Sequence, residues 1–237
     1  MLGRAAAVPG VRRGKQVSGL SAEVASRMDK ARFMALWARC LDDGASNDAA
    51  SIFADVLAHY SESHRRYHTP IHIDHCLRQF DMAVDLMRER DAVEMAIWFH
   101  DIIYDVPTVD NERRSAEYFV DLTRGRVDAA FARNVFDMIL ITTHQESPVR
   151  DDDRYLVDVD LSSFGLPWDE FKRDSEHVRG EFADRTDKEF YSTHIMFMQS
   201  LVDRPHFFST EFFRARYENS ARKNVARLIA ELRSAGY

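Results

Sequence analysis

From residue 28 onward, apolar side chains recur at three- and four-residue intervals, the spacing that keeps them on one face of a helix rather than on alternate positions of a strand. ARFMALWARCL sets Phe33, Leu36, Trp37, Cys40 and Leu41 on one stripe. SIFADVLAHY repeats the pattern with Ile52, Phe53, Val56, Leu57 and Tyr60 behind Asn47, a residue type that caps helix N-termini. Thr69 followed by Pro70 supplies a cap and a favoured first helical residue, so a helix starts there and carries Ile71, Cys76 and Phe80 inward. The same period predicts helices over about 91–104, 111–123, 127–144, 168–183, 187–203 and 208–234. There is no βαβ alternation, internal repeat or low-complexity tract, and the expected fold is all-α.

Composition narrows this picture. With 237 residues and 45% hydrophobic content the chain can bury a sizeable core, and one domain over residues 28–237 is expected. The net charge of -7, with Lys and Arg scattered among Asp and Glu, offers no basic face for duplex nucleic acid, although it leaves room for a small anionic substrate. The two cysteines, Cys40 and Cys76, have neither CxxC spacing nor a disulfide framework, which fits a reducing, cytoplasmic setting. No apolar run approaches the roughly 18 residues of a membrane span. Residues 1–27 open with MLGRAAAVPGVRRGKQVSG, which carries four basic and no acidic residues without a helical period. A flexible tail is expected there; a transit peptide is the sharper reading, but an amphipathic face is lacking.

Candidate chemistry collects in two segments. YHTPIHIDHCLR places His68, His72 and His75 within eight positions, offering up to three imidazoles to one neighbourhood. DAVEMAIWFHDIIYD ends an almost wholly apolar run on the adjacent pair His100 and Asp101. A charge at the end of a buried run is costly without a partner. Imidazole nitrogen and carboxylate oxygen together suit a divalent cation held among several helices. YLVDVDLSSFG adds Asp158 and Asp160, which face different ways on a helix, so at most one joins such a site.

The ordered set His72, His100-Asp101 and a later aspartate resembles the His...His-Asp...Asp signature of the HD superfamily of metal-dependent phosphohydrolases. YHTPIH, AIWFHDIIYD, NERRSAEYF, VDVDLSSFG, VRGEF and ENSARKN are similar to segments of the HD-domain phosphohydrolases known mainly from bacterial genomes, over about residues 30–235. The Tyr-His-x-x-x-His and Asp-Leu-Ser segments also resemble those of cyclic-nucleotide phosphodiesterases. The resemblance implies a single HD-type helical bundle with a metal in a central cleft, held by His72, His100, Asp101 and Asp160. It further implies hydrolysis of a phosphate ester on a small molecule, perhaps a nucleotide, with Asp101 or Asp160 orienting the attacking water and His68 donating a proton to the leaving oxygen. Manganese, magnesium, zinc, cobalt and iron all remain open as the ion.

Each assignment has a plainer counterpart. His68 also fits an exposed histidine near a cap, and His75 a satisfied polar residue outside the site. His144, the one histidine between positions 101 and 160, either faces the cleft or simply ends a helix. Because a full dinuclear histidine set is absent, one tightly held ion is expected. Glu112 is either ordinary helix N-terminal chemistry or a neighbour of the metal. Arg65, Arg66, Arg113 and Arg114 are the nearest candidates to grip a phosphate, against the commoner solvated face. Arg179, Glu181, Glu218, Arg222 and Asn224 fit a buried network bracing the terminal helices as well as they fit substrate contact. A di-iron oxygenase and a non-catalytic ligand-binding module stand as alternative functions, and oligomeric state is left open.

Overall fold

A computed structural model describes residues 28–106 and 108–237; the expected tail over residues 1–27 lies outside the described residues. Among the described residues there are ten α-helices and no strand, so the fold is all-α. They are α1 (Lys30–Cys40), α2 (Ala49–Tyr60), α3 (Pro70–Ala83), α4 (Arg90–Phe99), α5 (Asn111–Thr123), α6 (Ala129–Ile141), α7 (Asp151–Leu161), α8 (Trp168–Glu181), α9 (Asp187–Val202) and α10 (Glu211–Ser234). Short 3₁₀ turns follow α3 at Val84–Leu86 and α7 at Ser162–Gly165. No helix is long and apolar enough to cross a membrane. Both cysteines are free thiols.

The core is built around α4. Its residues from Ala92 to Phe99 are all buried, the signature of a helix enclosed on every side. Phe33 of α1 lies against Trp98 edge-on at 5.2 Å between ring centroids, and touches Phe53 at 5.7 Å and Trp37 at 5.9 Å. This cluster fixes α1 and α2 on α4, which in turn packs against α3, α6 and α7. Enclosure of α4 has a direct consequence: its C-terminal end delivers His100 and Asp101 to the middle of the molecule.

Local signals explain the elements, with some corrections. Thr69 accepts from the backbone amide of Ile71 and Pro70 occupies the first turn of α3, as the sequence indicates. Ile71, however, is exposed; Ile73, Cys76, Leu77 and Phe80 form the buried stripe, the spacing a core-facing helix needs. Asp48, not Asn47, occupies the N-cap position of α2 but makes no side-chain capping bond, and the Asn47 side chain accepts from Ala49 N at 3.2 Å. The helix expected to reach residue 104 stops at Phe99. The reason is competition for the backbone: the Arg65 guanidinium donates to the carbonyls of Asp101 (2.7 Å) and Ile102 (2.8 Å), and the Ser115 hydroxyl accepts from Ile103 N at 3.1 Å. Likewise α6 ends at Ile141, and His144 turns into the left-handed region at φ 56°.

The C-terminal helix braces the turn that follows α7. Asn224 donates from Nδ2 to the carbonyls of Phe164 and Leu166, each at 2.8 Å, and Ser220 donates to the Gly165 carbonyl at 2.9 Å. A Cβ on Gly165 would lie 2.5 Å from Tyr217 Cβ, so only glycine allows this approach. Glu218 accepts from Phe207 and Phe208 amides and pairs with Arg222, whose guanidinium reaches the carbonyls of Val202 and Arg204. Arg179 donates to the carbonyls of Phe182 and Arg185. Four of the five late residues therefore serve the bracing network; Glu181 does not.

Candidate functional site

Helices α3, α4 and α7 pack mutually, and each contributes one donor to a common point. His72 Nε2 and His100 Nε2 lie 3.2 Å apart, and Asp160 Oδ1 lies 3.3 Å from the first and 3.6 Å from the second. His72, His100 and Asp160 form a group that can hold a metal ion. Asp101 adjoins it, with Oδ2 3.0 Å from His100 Nε2 and 3.6 Å from His72 Nε2. His72 and His100 are buried, so their apposition is enforced by packing and not by solvent.

The donors suit a cation. His100 Nδ1 sits 3.0 Å from the Ile97 carbonyl, which can only accept, so Nδ1 carries the proton in the neutral ring and Nε2 presents a lone pair to the cluster. Two imidazole nitrogens and one carboxylate oxygen converge closely enough to hold a metal ion, with the Asp101 carboxylate beside them. Burial opposes ionisation of Asp160, but the imidazoles of His100, His144 and His72 outweigh it and hold the carboxyl well below its usual range. For Asp101 the same opposition is won by His100, His68 and His72.

Asp158 and Asp160 of α7 part company as their spacing requires. Asp158 is fully buried on the far side and accepts from Ser209 N and Thr210 N, both at 2.7 Å, tying α7 to the start of α10. Burial pushes its carboxyl up to about 6, against the pull of those amides. Asp160 alone faces the cluster.

Beside the cluster opens a cleft of about 430 Å³, lined near the donors by Tyr67, His68, Asp101, Glu112, His144 and Asp160. His68 is fixed from two sides. Its Nδ1 lies 2.7 Å from Glu181 Oε2, and its ring stacks on Tyr104 with centroids 4.0 Å apart. The other nitrogen, Nε2, is 3.9 Å from Asp101 Oδ2. Glu181 also accepts from the amides of Arg66, Tyr67 and His68 through Oε1, at 2.7, 2.7 and 2.9 Å. Burial alone would lower the His68 pKa, but the charges of Glu181 and Asp101 overcome it and raise the value. Burial would raise Glu181, and the His68 charge and these hydrogen bonds bring it down to about 2.

Glu181 thus belongs to the site, a role that its sequence position did not disclose because its partner lies 113 residues away. The signal was present only as an acid within a segment otherwise given to bracing. His144 does face the cleft, with Nε2 2.9 Å from Asp160 Oδ2, and its buried Nδ1 has no partner. Its positive φ is held partly by Arg204, which donates to the His144 carbonyl at 2.8 Å. Glu112 lines the cleft, and burial raises its carboxyl. His75 stays apart: its Nε2 meets Ser162 Oγ at 2.8 Å, and burial brings it down to about 4.

None of the candidate phosphate grips, Arg65, Arg66, Arg113 and Arg114, lines the cleft. Arg65 is buried with its guanidinium on backbone carbonyls, Arg114 pairs with Asp105 at 2.7 Å, and Arg113 lies 3.8 Å from Glu117. Arg65 instead joins the two ends of the site, since it holds the carbonyls of both His68 (3.3 Å) and Asp101 (2.7 Å). Comparison with family models, curated proteins and solved structures found no match to this chain.

Proposed function

We propose that this chain is a metal-dependent phosphohydrolase of the HD type, acting on a phosphate ester of a small molecule. The observation that supports this reading is the convergence of His72, His100 and Asp160, with Asp101 beside them, at the edge of a cleft in which a glutamate positions His68. His72, His100 and Asp160, with Asp101 beside them, would hold a divalent ion, which would supply Lewis acidity toward a phosphoryl oxygen and toward water. Asp101 and Asp160 keep their carboxylates ionised and orient the attacking water. His68 has Nδ1 occupied by Glu181, so Nε2 is the atom that meets substrate, and its raised pKa keeps a proton there for the departing oxygen. Glu181 balances the imidazolium charge, and Tyr104 fixes the ring plane.

The test is turnover by purified protein reconstituted in turn with manganese, magnesium, zinc, cobalt and iron, against phosphomonoesters, cyclic nucleotides, nucleoside triphosphates and pyrophosphorylated nucleotides. Hydrolysis of at least one class is expected, abolished by chelator and by Asp160→Ala. Absence of turnover with every ion, together with oxygen uptake by the iron-loaded protein, would replace this reading with a redox one. Ligand binding without any turnover would make it a sensor.

A further inference from the structure

The part of the cleft away from the donors has a composition of its own. The turn after α7, α8, the loop after α8, and α9 line it with Phe164, Phe171, Val178, Phe182, Phe190 and Phe197. Val109, on the loop before α5, adds an apolar side chain that is 89% exposed. Among the described lining residues, the one permanent cation is Arg185, whose guanidinium lies over the Phe182 ring at 5.2 Å. His194 stacks on Phe190 at 5.0 Å, and burial brings it down to about 4, so it presents a neutral ring. Besides Asp101 and Asp160, the lining bears two further carboxylates, Glu112 beside the donors and Asp174 on α8.

These features fit one kind of ligand. A polyphosphate needs several fixed cations along its length, and here its oxyanions would meet aromatic carbon and two acids. A sugar needs many polar partners around its body; the hydroxyls of the lining lie mostly on the other side chains, from Tyr67 to Ser163, whereas α8 and α9 present rings with only the hydroxyls of Ser175 and Thr193 among them. Building on the hydrolase reading, we infer that the cleft takes an ester with a single phosphoryl group whose organic part is apolar, seated against the aromatic wall formed by α8 and α9. The phosphoryl group goes to the ion and His68. The apolar body displaces water from the phenylalanine rings, and the exposed Val109 gives it a further surface at the cleft. A volume of about 430 Å³ lies within the range of pockets that enclose compounds of this size.

The test separates binding from turnover. The full chain, with and without manganese, is titrated calorimetrically with n-alkyl phosphonates from methyl to hexyl, which cannot be hydrolysed, and with inorganic triphosphate. Affinity is expected to rise roughly twofold to fourfold per methylene. Val178→Asn and Phe197→Ser, each first shown to keep the parent's helicity and melting temperature, should flatten that rise. An affinity independent of chain length, or triphosphate binding more tightly than hexylphosphonate, overturns the inference. A flat series in a protein that still hydrolyses small phosphate esters sinks the apolar wall alone. A steep series in a protein that hydrolyses no ester upholds the apolar wall and removes the hydrolase reading.

Discussion

At the scale of single residues, the pairing of His68 with Glu181 carries the most consequence. A histidine whose Nδ1 is engaged by a buried carboxylate has one tautomer and one orientation, and its free nitrogen is aimed into the cleft. His68→Asn should therefore retain metal yet lose turnover on poor leaving groups by roughly 10²- to 10⁴-fold, with smaller losses on activated aryl esters. Equal losses on both substrate types would mean that His68 only positions structure. Glu181→Gln keeps an oxygen for the three amides but removes the charge that raises His68. The basic limb of the rate profile, where His68 loses its proton, should then move to lower pH. The pair also shapes stability. Glu181 is lowered from 4.5 to about 2, so its contribution, on the order of 3 kcal/mol, is present above pH 4.5 and lost as pH falls toward 2. His68 is raised above 6.5, so its contribution is present below 6.5 and lost as pH climbs through the raised value. Denaturant melts of metal-free protein should show this contribution greatest between those limits and reduced in Glu181→Gln, where Asp101 alone of the two named charges still raises His68. The histidines were legible in the sequence because they crowd into two short segments; Glu181 and Arg65 were not, because their partners lie far along the chain.

At the scale of elements, α7 shows how one helix divides structural from chemical duty. Asp158 and Asp160 are two positions apart and so face different sides, one gripping the start of α10 and the other the donor cluster. Asp158→Ala leaves two amides without an acceptor, which should cost about 2–4 kcal/mol of unfolding free energy while metal content stays at the parent level. Asp160→Ala should lose the metal, and in metal-free protein it should also lose the stabilisation that its carboxylate gains from His72, His100 and His144, so metal content and not stability separates the two variants. Gly165→Ala drives a methyl into Tyr217, and overpacking of this kind costs about 1–3 kcal/mol. Because that turn follows the helix bearing Asp160, the variant should also weaken metal binding, measurable by competition with a chelator. The period of apolar residues disclosed the helices themselves. Their ends were less legible: whether α4 continues past Phe99 depends on Arg65 and Ser115 offering other partners to the backbone, and nothing local to residues 100–104 records that offer.

At the scale of the whole molecule, an enclosed central helix and two neighbours bring donors from positions 72, 100 and 160 to one point, and the long-range packing of α10 holds the third helix in place. The aromatic character of the cleft was not visible beforehand. Phe164, Phe182 and Phe197 stand far apart along the chain, and only the arrangement of α8 and α9 brings them to line one cleft. Of the four donors that the resemblance implied, His72, His100 and Asp160 come together as a group able to hold an ion, with Asp101 beside them, and that geometry required the fold. Metal content of purified protein, measured beside helicity, tests the central claim most directly. About one divalent ion per chain is expected in the parent and in Asp158→Asn, and a loss of nearly all of it in His100→Ala and Asp160→Ala that remain helical. His100→Ala and Asp160→Ala loaded as fully as the parent would contradict it.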